Sequence, residues 1–176
     1  MKPLVLGLGN DLLGDDAVGL MAARLLSSTV SPHADVLQSN LSGIALLDLF
    51  EGRDQVIILD AMQSGCYPPG SVVELTAEDF RSFPCPSPHF TGLPELISIA
   101  EELDMRFPRQ VHILAVEIRE ACTIGGSMSK EVADAIPEIV NCVQRRLESW
   151  LEQPANPILP EEGWGADLPD GWMNEI

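Results

Sequence analysis

Three side chains in this sequence could share one cation. Asp16 follows the apolar run Leu4–Leu8 and the turn Gly7-Leu8-Gly9-Asn10. Asp60 closes the run Val56-Ile57-Ile58-Leu59, and His89 lies in Ser87-Pro88-His89. Carboxylates repel phosphates and attract cations. Two carboxylates and an imidazole make a three-ligand set for a divalent transition metal that keeps open positions. Glu117, at the end of another apolar run, is the reserve ligand. Each residue also has a plainer reading. An aspartate at a strand end commonly caps a helix or shapes a turn, and a loop histidine is commonly only solvated. Of the adjacent pair, Asp16 is expected to face the metal, and Asp15 to cap a helix or support the site from behind.

Other chemistries fit poorly. The Gly7-x-Gly9 turn suggests a dinucleotide fold, but Leu12 stands where that fingerprint needs its third glycine, and carboxylates stand where a pyrophosphate would lie. No Gly-Lys-Ser/Thr phosphate loop, Gly-x-Ser-x-Gly elbow or His-Glu-x-x-His helix is present. Cys66 and Cys85 fall in loop-like sequence with no base to pair with either. Aromatic residues make up 5% of the chain, which disfavours a stacking platform for bases.

The candidate ligands need a scaffold, and the apolar pattern supplies one. Pro3–Leu8, Asp35–Gln38, Gln55–Leu59, Ser71–Leu75 and Val111–Glu117 read as strands. The first, third and fifth are near-continuous apolar runs, as in strands covered on both faces. Between them lie helical patterns. One starts at Asp15 or Asp16 and runs to about Leu26, with Val18, Met21, Ala22, Leu25 and Leu26 on its inner face. A second runs from Ser42 or Gly43 to Glu51-Gly52. A third follows Thr91 and carries Leu96, Ile97, Ala100 and Leu103. A fourth runs from Ser129 to about Leu151, where Pro137 predicts a kink or a later start. The alternation predicts an α/β fold: a single three-layer domain with a twisted, mostly parallel sheet of about five strands between helices on both faces. In such sheets the first and third strands are commonly neighbours, where chain order reverses, and ligands bind at that edge. Asp16 and Asp60 would then face one crevice.

The chain has 176 residues, with 27 acidic and 10 basic side chains and a formal charge of −17. That argues against nucleic acid and anionic membrane surfaces as partners. No apolar run approaches the roughly 20 residues of a membrane helix. Four scattered cysteines without a Cys-x-x-Cys pair fit reduced thiols. Lys2 leads straight into a strand without a signal-peptide pattern. A cytoplasmic monomer is expected. Residues 1–151 form the α/β domain. Residues 152–176 differ, with four prolines, six acidic residues, no Lys or Arg, and Trp164 and Trp172. They read as a loosely ordered acidic tail, or as a segment whose tryptophans dock on a groove.

Taken together, Gly7-Leu8-Gly9-Asn10, Leu12-Leu13-Gly14-Asp15-Asp16-Ala17-Val18-Gly19, Ile57-Ile58-Leu59-Asp60-Ala61, Ser87-Pro88-His89 and Glu117 resemble the hydrogenase maturation endopeptidases. The resemblance spans most of residues 1–150. It implies an aspartyl-type endopeptidase that removes the C-terminal extension of a nickel–iron hydrogenase large-subunit precursor once nickel is in place. It also implies that Asp16, Asp60 and His89 are the catalytic, metal-contacting residues. The nickel belongs to the substrate, and no tightly bound metal of the protein's own is expected. Two segments depart from the family pattern. Gln38-Ser39-Asn40-Leu41-Ser42-Gly43 keeps only the final glycine of an Asp-Gly-Gly-Thr-like stretch associated with substrate choice. Ile118-Arg119-Glu120-Ala121 replaces the usual Pro-Glu-Ser run. The alternatives are a non-catalytic nickel-binding assembly factor and a stand-alone hydrolase with a resident metal.

Overall fold

The structure is a computed structural model that describes residues 2–30, 32–76, 79, 93–120 and 124–152. His89, Cys85, Cys122, Thr91, the proline-rich stretch 80–89 and the tail after Glu152 lie outside the described residues.

Five strands form one sheet: β1 (Leu4–Leu8), β2 (Asp35–Ser39), β3 (Gln55–Met62), β4 (Val72–Thr76) and β5 (Gln110–Glu117). Their spatial order is β2-β1-β3-β5-β4. β2, β1, β3 and β5 run parallel, and β4 closes the β5 side as an antiparallel edge strand. The near-continuous apolar runs have the predicted cause. β1 is buried along its whole length, as are β3 and β5 after their first residue. Helices cover both faces. On one, α1 (Val18–Thr29) and α4 (Lys130–Glu152) pack on Val5, Ile57, Leu59, Leu114 and Val116. On the other, α2 (Leu47–Phe50) and α3 (Leu93–Glu102) contribute Phe50, Leu96 and Ala100 to a core with Leu4, Leu6, Ile58 and Ile113. The single three-layer α/β domain is the one predicted.

Several local expectations need correction. α1 turns a different face inward: Val18, Gly19, Ala22, Ala23 and Leu26 are buried, whereas Met21 and Leu25 are 39% and 54% exposed. The reason is close approach. A Cβ on Gly19 would lie 2.2 Å from the Leu59 carbonyl oxygen and 2.4 Å from that of Leu8. Gly7 lies in the β1 ladder beneath the Gly19 carbonyl and the Ala23 methyl. Small residues mark the contact, and the large ones stand away from it. Neither aspartate caps α1, whose cap position is Ala17; both lie in the 3-10 turn Gly14–Ala17 that precedes it.

The second helical segment is a 3-10 turn, Gly43–Leu46, followed by one turn of α-helix, and Ile44 faces out while Leu46, Leu47 and Phe50 are buried. Leu103 lies beyond the end of α3 and is 64% exposed. Ser129 caps α4 as expected, its hydroxyl accepting the Val132 N–H at 3.5 Å. α4 is continuous through Pro137, so the later start is excluded. Pro137 and Ala133 both lie on the exposed face. The Ala133 carbonyl that loses its helical donor is therefore on the side open to water.

Candidate active site at the carboxyl edge of the sheet

Chain order reverses between β1 and β3, since β2 lies on one side of β1 and β3 on the other. The loops that follow the parallel strands meet at this edge, where open α/β sheets bind ligands. After β1 the chain turns through Gly9 and Asn10. Gly9 has φ +142°, and a Cβ there would lie 2.1 Å from the Asp16 carbonyl oxygen. The 3-10 turn thus folds back directly on the strand end. Asp16 is 3% exposed, and its Oδ2 accepts the Asn10 N–H at 2.8 Å. The Asn10 side chain accepts the Leu12 N–H at 3.0 Å and tightens the same loop.

Asp60 lies within β3 rather than ending it, because the strand continues to Met62. It is 1% exposed, and its Oδ1 accepts the Ala61 N–H at 2.9 Å. The 3-10 turn lies against β3, and Gly19, one turn beyond Asp16, rests on Leu59 beside Asp60. The structure therefore places two deeply buried carboxylates at the reversal point. Burying a carboxylate is costly unless partners compensate it. Backbone N–H groups engage one oxygen of each. His89 lies outside the described residues. Among those described, no three His, Cys, Asp or Glu side chains assemble as a metal-holding group.

Asp15 and Glu117 support the loops. Asp15 Oδ1 accepts the Ser129 N–H at 2.6 Å, so it ties the β1 loop to the start of α4 rather than capping α1. Glu117 is 2% exposed. Its Oε2 accepts the Ser64 hydroxyl at 2.5 Å and its Oε1 accepts the Gly65 N–H at 2.8 Å. Both oxygens hold the loop after β3, which makes Glu117 a positioning residue at this edge. Sequence reading overlooked Ser64, Gly65 and the Asp15–Ser129 tie. No local signal pairs residues 53 or 114 positions apart.

A cleft of about 350 Å³ opens beside this edge, lined by Leu13, Gly14, Asp15, Pro69, Arg119 and Ser129 among others. His112 is buried but lies elsewhere, near the start of β5. Its Nε2 is 3.1 Å from Glu74 Oε2 and 3.3 Å from Arg146 Nη2. His33 is in an exposed turn. Cys66 is exposed and Cys142 buried, both unbridged.

Fold and site together define a doubly wound α/β protein with paired acidic residues at its switch point. Comparison with known proteins makes this specific. The family model for hydrogenase maturation proteases matches residues 21–146. The hydrogenase expression/formation protein HupD of Rhodobacter capsulatus is 28% identical over 154 residues, covering 85% of this chain and 72% of that protein. The hydrogenase 2 maturation protease of Escherichia coli is 32% identical over 120 residues, covering 66% and 73%. Among solved structures, the hydrogenase maturating endopeptidase HybD from E. coli superposes with a TM-score of 0.72 at 28% identity, over 85% of this chain and 93% of that one. HybD from Thermococcus kodakarensis gives 0.64 at 26% identity, over 84% and 99%. The chain belongs to the hydrogenase maturation protease family. It is an endopeptidase by that membership. Among the described residues no helix is long and apolar enough to cross a membrane.

Proposed function

We propose that this protein removes the C-terminal extension of a nickel–iron hydrogenase large-subunit precursor after nickel insertion, and that Asp16, Asp60 and His89 contact the substrate's nickel. The observation that carries the reading is the pair of buried carboxylates, Asp16 and Asp60, at the β1/β3 reversal. Carboxylate and imidazole donors suit a divalent transition metal. Docking the precursor's nickel there brings the nearby peptide bond to a fixed place. Orientation of that kind supplies much of a hydrolytic rate. The metal then polarises the scissile carbonyl, or a carboxylate takes a proton from the attacking water. Nickel arrives with the substrate, so the isolated protein carries no stoichiometric metal. The large-subunit precursor is the partner, and the protein acts in the cytoplasm, where its thiols stay reduced.

The test is mass spectrometry of nickel-loaded precursor incubated with the purified protein. Wild type is expected to shorten the large subunit by one C-terminal fragment. Asp16→Asn, Asp60→Asn and His89→Ala are expected to abolish the cut with unchanged circular dichroism. Asn at position 16 keeps an acceptor for the Asn10 N–H, so the loop survives the loss of charge. Full cleavage by Asp16→Asn and His89→Ala would sink the assignment. Stoichiometric zinc, manganese or iron in the isolated protein would favour a resident-metal hydrolase instead.

A further inference from the structure

The proposed chemistry uses the buried carboxylates and leaves unexplained what surrounds them. Large apolar side chains are exposed in the segment that follows each parallel strand: Leu12 after β1 (62% exposed), Leu41 and Ile44 after β2 (40% and 65%), Tyr67 after β3 (39%) and Ile124 after β5 (80%). Single exposed apolar residues are ordinary, whereas a cluster marks an interaction surface. Three of these belong to loops that border the cleft. The Gly125 N–H donates to the Leu12 carbonyl at 2.8 Å, which joins the Leu12 and Ile124 loops. Gly14 lies against the Gly126 and Ser127 carbonyls. Leu13, Pro69 and Gly126 line the cleft itself, each within two residues of Leu12, Tyr67 or Ile124.

We propose that this apolar rim, Leu12, Tyr67 and Ile124 about the cleft, is the docking surface for the precursor protein beside its scissile segment, with Leu41 and Ile44 extending it along the edge. The proposal rests on the reading of Asp16 and Asp60 as the site. Continuity argues for this occupant: the cleft wall includes Asp15, and the next residue is Asp16. A volume of about 350 Å³ is at the small end of ligand cavities and suits a short piece of chain. The rim around it offers contact to the body that carries that chain.

The experiment compares wild type, the double variant Leu12→Asp/Ile124→Asp, the milder Leu12→Ser/Ile124→Ser, and Leu103→Asp. Leu103 is as exposed as Leu12 but follows α3 at the opposite edge. Affinity for nickel-loaded precursor is read by biolayer interferometry, and KM and kcat by mass spectrometry. Thermal melts and sedimentation are run alongside. Both rim variants are expected to weaken binding about tenfold or more, as loss of apolar anchors does. KM should rise in step, kcat should stay within about twofold, and Leu103→Asp should match wild type. Rim variants that melt and bind like wild type overturn the proposal. So does a wild-type dimer that the rim variants dissociate, since a second copy would then be the occupant. Rim-dependent binding without any cleavage by wild type supports the docking surface while sinking the peptidase reading of the site.

Discussion

Glu117 shows how one carboxylate can be committed before any ligand arrives. It lies two residues beyond Ala115, the register partner of Asp60, at the same edge. Its oxygens accept from Ser64 and Gly65, so it shapes the loop after β3. Hydrogen bonds to a charged group contribute about 1.5–3 kcal/mol each. Glu117→Ala removes two such bonds and is therefore expected to lower unfolding free energy by about 3 kcal/mol or more in urea titration. Processing should slow rather than stop. Complete loss of processing at unchanged stability would instead identify Glu117 as a metal contact. Asp15 makes the same kind of commitment toward α4, whereas Asp16 is held by the Asn10 N–H within its own loop.

At the scale of elements, the seating of α1 on the sheet decides where Asp16 lies. The helix touches β1 and β3 through Gly7, Gly19 and Ala23, and the 3-10 turn with Asp16 immediately precedes it. Gly19→Ala puts a methyl about 2.2 Å from the Leu59 carbonyl oxygen, so α1 must lift. Overpacking of this kind costs about 1–3 kcal/mol. The thermal midpoint should fall and the processing rate with it, because the displaced turn carries Asp16. Leu25→Ala on the exposed face of the same helix should stay within about 0.5 kcal/mol of wild type. A large effect at Leu25 with none at Gly19 would show that the helix is seated by its large side chains after all.

Over the whole molecule, the antiparallel edge couples stability to pH at a distance from the site. His112 on β5 packs against Glu74 on β4 and Arg146 on α4. Burial, and then the Arg146 charge, hold its pKa below the ordinary 6.5, against the opposing pull of Glu74 and Asp79. A folded-state pKa below the unfolded one means that the unfolded chain binds more protons. That contribution is complete above about pH 6.5 and is lost as pH falls through 6.5 toward the lower folded value. For Glu74, burial pushes the pKa up but His112 and Arg146 outweigh it, so its carboxyl lies below 4.5. Its contribution is lost only in more acid solution. Unfolding free energy measured between pH 7 and 5 is expected to decline, and His112→Gln is expected to flatten that decline. An identical slope in the variant would assign the pH dependence to other groups.

The chain's local chemistry determined much of this. Continuous apolar runs gave the buried strands because both faces are covered. In α4 the 3.6-residue recurrence of Val132, Ile136, Ile139, Val140, Val143, Leu147 and Trp150 marks the inner face, with Val140 and Trp150 half-buried and the other five buried. The placement of Asp16 after β1 and of Asp60 on β3, with the usual neighbouring of first and third strands, located the candidate site. Tertiary structure decided the rest. The inner face of α1 escaped a count of large hydrophobics because the closest approach is made by Gly19 and Ala23, where backbone meets backbone. β3 ran two residues past Asp60 because β5 pairs with it as far as Glu117. The partners of Asp15 and Glu117 lie 114 and 53 residues away in sequence. Periodicity reports which side of an element is buried. It carries no information on which distant loop will present an N–H or hydroxyl to a particular carboxylate. That is set by the spatial order of the strands in the sheet.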